Sequence, residues 1–84
     1  MITIRLLGGA KKAVGKQVLE LDRQQSAVSE ILKFLQDCAT EPGLLEPGNL
    51  IIAVNGTDSA ALDGTATVVK RGDTVTVVTV VHGG

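Results

Sequence analysis

The sequence predicts an α+β domain in which one main helix packs on one face of a mixed sheet. Three observations point there. Several short segments alternate apolar and polar residues or are dense in β-branched ones. One longer segment, "SAVSEILKFLQDCAT", repeats apolar residues at helical spacing. That segment lies between strands, where it supplies the long crossover that strands running in the same direction require.

The first strand is "MITIRLL", in which Ile2, Ile4 and Leu6 alternate with Thr3, Arg5 and Leu7, the period of a strand with one buried face. Gly8-Gly9 breaks it. "GGAKKAVGK" then reads as a flexible basic hairpin loop, and "KQVLELD" as the returning strand with Leu19 and Leu21 inward. In the helical segment Val28, Ile31, Leu32, Leu35 and either Cys38 or Ala39 form one stripe. Ser26 is the expected N-cap, Glu30 suits the positive end of the helix dipole, and Pro42-Gly43 ends the segment. Cys38, on or beside the stripe, is expected to pack in the core as a small hydrophobe.

"TEPGLLEPGNL" is a loop shaped by two prolines, and "LIIAVN" is a nearly unbroken apolar strand stopped by the turn pair Asn55-Gly56. "TDSAALDG" is expected to be irregular, anchored in the core by Leu62. "TATVVKRGD" is a short strand or turn running into a tight turn at Arg71-Gly72-Asp73, and "TVTVVTVV" is the last strand. This order, β-β-α-β-(short β)-β, is that of a β-grasp roll.

Composition narrows the function. The 84 residues amount to one domain. A net charge of −1 and an aromatic content limited to Phe34 supply neither the basic face nor the stacking platform of a nucleic-acid binder. The single Cys38 excludes an internal disulfide and a cysteine-ligated cluster, and no spacing suggests a metal site. The apolar runs are too short for a membrane span, and "MITIRLLGG" lacks a signal-peptide layout. A cytoplasmic, monomeric protein is expected.

Residues along the whole chain resemble the ubiquitin-like β-grasp family, in its sulfur-carrier and small-modifier branch. That branch includes the MoaD and ThiS carriers, the small archaeal modifier proteins and the ubiquitin-related modifier. The resemblance rests on the element order, on "AVNG" closing the third long strand, on "RGDTVTVV" entering the last strand and on the final Gly83-Gly84. "NGTDSAALDG" with "HGG" is most similar to the ubiquitin-related modifier and its archaeal relatives. MoaD-like chains tend to carry proline just before the tail, and "VTVVHGG" has none, which weighs against a dedicated molybdopterin synthase subunit.

The resemblance implies a β-grasp domain over residues 1–81 and a flexible tail over 82–84. The tail would be a substrate and the protein not an enzyme. An E1-like adenylyltransferase would use ATP to activate the Gly84 carboxylate, with no cofactor bound by the chain itself. Gly84 would then receive sulfur from a sulfur donor or sulfurtransferase and pass it on, for instance to a tRNA-thiolation enzyme, or be joined to a target-protein lysine. The alternatives are a MoaD-type subunit seated on a MoaE-like large subunit, and a plain interaction module. Glycines suit a narrow active site because they lack Cβ and accept any backbone dihedral, and residues 82–84 reach at most ~10 Å.

Gly83 and His82 are the candidate tail-recognition residues, with an exposed tail residue as the simpler reading of His82. In the last strand, inward Val75 and Val77 leave Val78 and Val80 outward under strict alternation, unless a β-bulge resets the register. The outward reading joins Val78 and Val80 with Leu7 and Val18 in a docking face. Lys11, Lys12, Lys16, Lys33 and Lys70 are candidate acceptors of a further modifier, with ordinary solvated lysines as the simpler reading.

Overall fold

The computed structural model describes residues 1–80. Its elements are β1 (Ile2–Leu7), α1 (Gly9–Val14), β2 (Val18–Leu21), β3 (Gln25–Ala27), α2 (Val28–Cys38), β4 (Leu50–Val54), β5 (Thr57–Asp58), β6 (Val68–Lys70) and β7 (Thr74–Thr79). Five strands form a mixed sheet in the order β2-β1-β7-β4-β5, while β3 and β6 make a separate two-stranded ribbon. β1 and β7 are parallel and every other pair is antiparallel. β2 and β4 therefore run in one direction, and the connection through α2 carries the chain from one to the other across β1 and β7.

The core lies between the inner sheet face and the helices. Ile2, Ile4 and Leu6 of β1 and Val75 and Val77 of β7 are fully buried there, with Val28, Ile31 and Leu35 of α2 against them. Leu19 packs against this core and Leu21 is buried in it, as their alternation predicts.

The chain departs from its sequence reading in five places. "GGAKKAVGK" contains α1 rather than forming a loop. Ala10 and Ala13, one turn apart, are fully buried, and their small side chains let the short helix lie close to the sheet. Gly15 ends it at φ 82°, a conformation that favours glycine. Thr40 N–H and Glu41 N–H both donate to the Ala13 carbonyl, at 2.9 and 3.2 Å.

Ser26 does not cap α2. It belongs to β3, opposite Val69, and is buried. The helix starts after Ala27, whose N–H donates to Glu30 Oε1 at 2.9 Å, the half of a capping box that needs no side chain at the cap. The ribbon has taken Ser26 for strand pairing.

Cys38 is exposed and Ala39 packs against the core instead. At about 100° per residue, Ala39 returns to within about 20° of Val28 around the helix axis, whereas Cys38 falls about 80° away. Leu62 is likewise exposed, and Leu45 fills the core from the 3-10 turn Pro42–Leu45. Finally, "TDSAALDG" is not wholly irregular. Asn55 and Gly56, both at positive φ, close a tight hairpin that pairs β5 with β4.

The turn entering β7 is held by Asp73. Its carboxylate accepts from Asn55 Nδ2 at 3.0 Å and from Lys70 N–H at 2.8 Å, while Thr74 N–H donates to Asn55 Oδ1 at 2.9 Å. The Asn55 bond, then the Lys70 bond, hold the carboxyl below its ordinary pKa. A native pKa lowered in this way stabilises the fold above the unfolded value of about 3.9 and ceases to as pH falls through the native value. Asp73→Ala is therefore expected to cost about 1 kcal/mol at pH 7, and the difference from wild type should shrink steadily below about pH 4. Urea midpoints measured from pH 7 to pH 2 test this; a gap that widens in acid would contradict it.

Candidate functional site

The last described strand is the middle of the sheet. β7 lies between β1 and β4, with Val78 level with Leu7 on one side and Ile51 on the other. Its inner residues Val75 and Val77 are fully buried. The register to both neighbours continues without a break, so no bulge resets the alternation before Thr79. Val78 therefore points outward, as the alternation predicts.

Leu7, Val78 and Ile51 form an apolar row across three strands of the outer face. Leu7 and Ile51 are 41% and 43% exposed, Val78 less so. Val18 is 48% exposed and pairs with Arg5, two positions along β1 from Leu7. Val80, half-buried, follows β7. Of the four residues expected from the sequence, Leu7 and Val78 are neighbours, with Ile51 beside Val78; Val18 lies diagonal to Leu7, and Val80 lies just past the end of β7. "LIIAV" hides Ile51 because both faces of that strand are apolar; only its pairing with Val78 shows which way it points.

Beyond the row, β7 is held at its end from both sides. Thr79 pairs with Leu50, and Val80 N–H donates to the Asn49 carbonyl at 2.7 Å. On the β1 side the chain has already turned away at Gly8, whose φ of 59° and ψ of −132° favour glycine. A Cβ on Gly9 would meet the Thr79 side chain at 3.1 Å. Val81, His82, Gly83 and Gly84 lie outside the described residues.

The candidate acceptor lysines are dispersed. Lys11 and Lys12 lie on α1 and Lys16 just after it, in the stretch that follows Gly8-Gly9; Lys33 is on α2 and Lys70 on β6. All are exposed. Two concave sites lie away from the outer row. One, of about 210 Å³, is lined mainly by apolar residues including Val28, Leu32, Leu50 and Ile52. The other is lined by Arg23, Glu30, Lys33, Phe34 and Asp37. Among the described residues, no three His, Cys, Asp or Glu side chains cluster as metal ligands would, and no helix is long and apolar enough to cross a membrane.

The described chain thus ends at the central strand β7, beside an apolar outer row. Comparison with known families is decisive: the model of the ThiS family matches residues 4–84. The chain belongs to the ThiS family. A search of curated protein sequences gives no match.

Among solved structures, this ThiS-family chain is similar to small archaeal modifier protein 1 of Methanosarcina acetivorans, at 23% identity and TM-score 0.77, over 99% of this chain and 95% of that one. It is also similar to Urm1 from Trypanosoma brucei, at 22% identity and TM-score 0.74, over 99% and 94%. A third similar chain comes from the BexX/CysO complex of Amycolatopsis orientalis, at 22% identity and TM-score 0.75, covering both chains fully. The fold is the ubiquitin-like β-grasp, as the element order predicts. One of these neighbours is a small archaeal modifier protein, and another sits in a two-protein complex.

Proposed function

We propose that this protein is a small modifier and sulfur carrier that works through Gly84, with Gly84 as the carboxyl-terminal residue of the working form. An ATP-dependent adenylyltransferase of the E1-like class docks on the outer face, and the Gly84 carboxylate oxygen attacks the α-phosphate of ATP. Pyrophosphate leaves and an acyl-adenylate forms. Sulfide supplied by a sulfur donor then displaces AMP to give a thiocarboxylate for delivery to an acceptor such as a tRNA base. Alternatively an enzyme thiol displaces AMP, and a target lysine amine displaces the thiol to leave an isopeptide bond. The protein is the substrate of these steps and supplies no catalytic group.

The observation that carries this reading is the reach of the family match, which runs through residue 84 and so takes in Gly83-Gly84. Tail recognition by Gly83 and His82, and chain extension on Lys11, Lys12, Lys16, Lys33 or Lys70, belong to the same proposal. The test incubates N-terminally tagged protein with ATP and cell extract and follows the tag. ATP-dependent, thiol-resistant species of higher mass support conjugation. A stable complex with a larger subunit, formed without ATP and unchanged by it, would support the molybdopterin synthase alternative instead.

The outer face gives a separate expectation. Leu7→Glu and Ile51→Glu change exposed side chains, so the fold should survive. Each should weaken capture of the activating enzyme about tenfold or more, because central apolar contacts dominate binding energy. Titration of immobilised variants against the enzyme checks this; unchanged capture by both would remove the outer row from the docking face.

A further inference from the structure

The end of β7 carries an unusual contact. Gly9 opens α1, and a Cβ there would stand 3.1 Å from both Thr79 Cβ and Thr79 Oγ1 and 3.2 Å from Thr79 Cγ2. Such distances are tighter than side chains normally tolerate, so the neighbour would have to give by a few tenths of an ångström. At Gly8 an added Cβ would lie 3.8 Å from the Thr79 carbonyl oxygen. Thr79 Oγ1 is itself buried and, among the described residues, without a hydrogen-bond partner. Among the described residues nothing polar fixes this side chain, and it occupies the space that a Cβ on Gly9 would crowd.

On the opposite side Thr79 is paired with Leu50, and one residue later Val80 N–H is bonded to the Asn49 carbonyl. The final strand is therefore clamped between a glycine turn and the start of β4 at the last point before the tail. Building on the proposed function, we infer that Gly9 and Thr79 are positioning residues. Their contact fixes the position of Thr79 and Val80, the base from which the tail must reach the activating enzyme. With a Cβ at Gly9, the Thr79 side chain at the end of β7 would have to give by a few tenths of an ångström. Docking uses the outer row and the activating step uses the tail, so the contact should affect the rate at saturation more than the affinity.

The test compares Gly9→Ala with wild type. Gly43→Ala is the control, because a Cβ there meets nothing within 4 Å. Amide exchange at Val80 reads the clamp without any enzyme. Gly9→Ala should exchange about tenfold faster at Val80, with Val75 and Val77 unchanged. Activation is read as hydroxamate formed at Gly84 when hydroxylamine traps the acyl-adenylate, using ATP and an extract fraction that activates the wild type. Misplacement of a reacting group by about 1 Å costs about 100-fold, so a shift of a few tenths should lower the maximal rate about tenfold. The half-saturating protein concentration should stay within about twofold, since docking is untouched.

Adding Thr79→Ala removes Oγ1 and Cγ2 from the crowded contact and should restore part of both effects. Unchanged Val80 exchange, an unchanged maximal rate, or no restoration in the double variant would each overturn the inference. If the wild type itself yields no hydroxamate in a fraction that activates a known relative, the proposed function fails. The exchange measurement would still show whether the clamp exists.

Discussion

Removing Gly83-Gly84 is expected to abolish ATP-dependent activation while leaving the fold intact. The two halves of this expectation have different physical sources. β7 is paired with β1 through Val78 and with β4 through Thr79, and among the described residues the buried core is supplied by Ile2 to Val77. Deletion should leave the thermal midpoint within about 2 °C, because the last residues of a domain generally add little to its stability. Activation, by contrast, requires a carboxylate at the right reach. Shortening the chain by two residues withdraws its end by ~7 Å and leaves His82, with a Cβ and an imidazole, where a glycine would enter the active site. A misplacement of 1 Å already costs about 100-fold, so the loss should exceed the sensitivity of pyrophosphate-exchange measurements. Exchange by the shortened protein at more than a few per cent of the wild-type rate would mean that the last two glycines do not carry the function.

The second large effect lies in the core. Ile4 is fully buried in β1, opposite Leu19 on one side and Val75 on the other. With Phe34 as the only aromatic residue, and that one only partly buried, the domain depends on tight interlocking of Ile, Leu and Val. Ile4→Ala should cost about 3 kcal/mol, combining lost burial with the cavity left behind. In a domain of this size that corresponds to a fall in Tm of roughly 15–20 °C. Leu62→Ala, at the site the sequence marks as an anchor and the structure leaves exposed, should change stability by no more than about 0.5 kcal/mol. Calorimetry on the two variants checks both; comparable losses would mean the core is wrongly located.

Much of this architecture was legible from periodicity because strong patterns decide long elements. The alternation in "MITIRLL" and the stripe from Val28 to Leu35 each bury one face, and no local signal competes. The failures share a different cause. Ala10 and Ala13 build a helix from side chains too small to register as a hydrophobic stripe, and glycines flank them. Ser26 has the chemistry of a helix cap, but pairing with β6 offers its segment more hydrogen bonds than capping does. Cys38 and Ala39 compete for the same stripe, and only the helical angle separates them.

The candidate site was legible in part for a similar reason. Val78 and Leu7 follow from alternation within their own strands. Ile51 does not, because β4 is apolar on both faces and its orientation depends on a partner distant in sequence. The contact between Gly9 and Thr79 is equally invisible in the sequence, since it joins a glycine turn to the far end of the chain.

The central claim is that Gly84 is the acyl end through which this protein acts. The most direct measurement is the mass of the C-terminal peptide after incubation with ATP and a cell extract that activates a known relative. The account predicts one of two products: sulfur in place of a carboxylate oxygen at Gly84, or Gly84 joined to a lysine amine in a branched peptide. A C-terminal peptide recovered only as the free carboxylate, with neither product present, would contradict it.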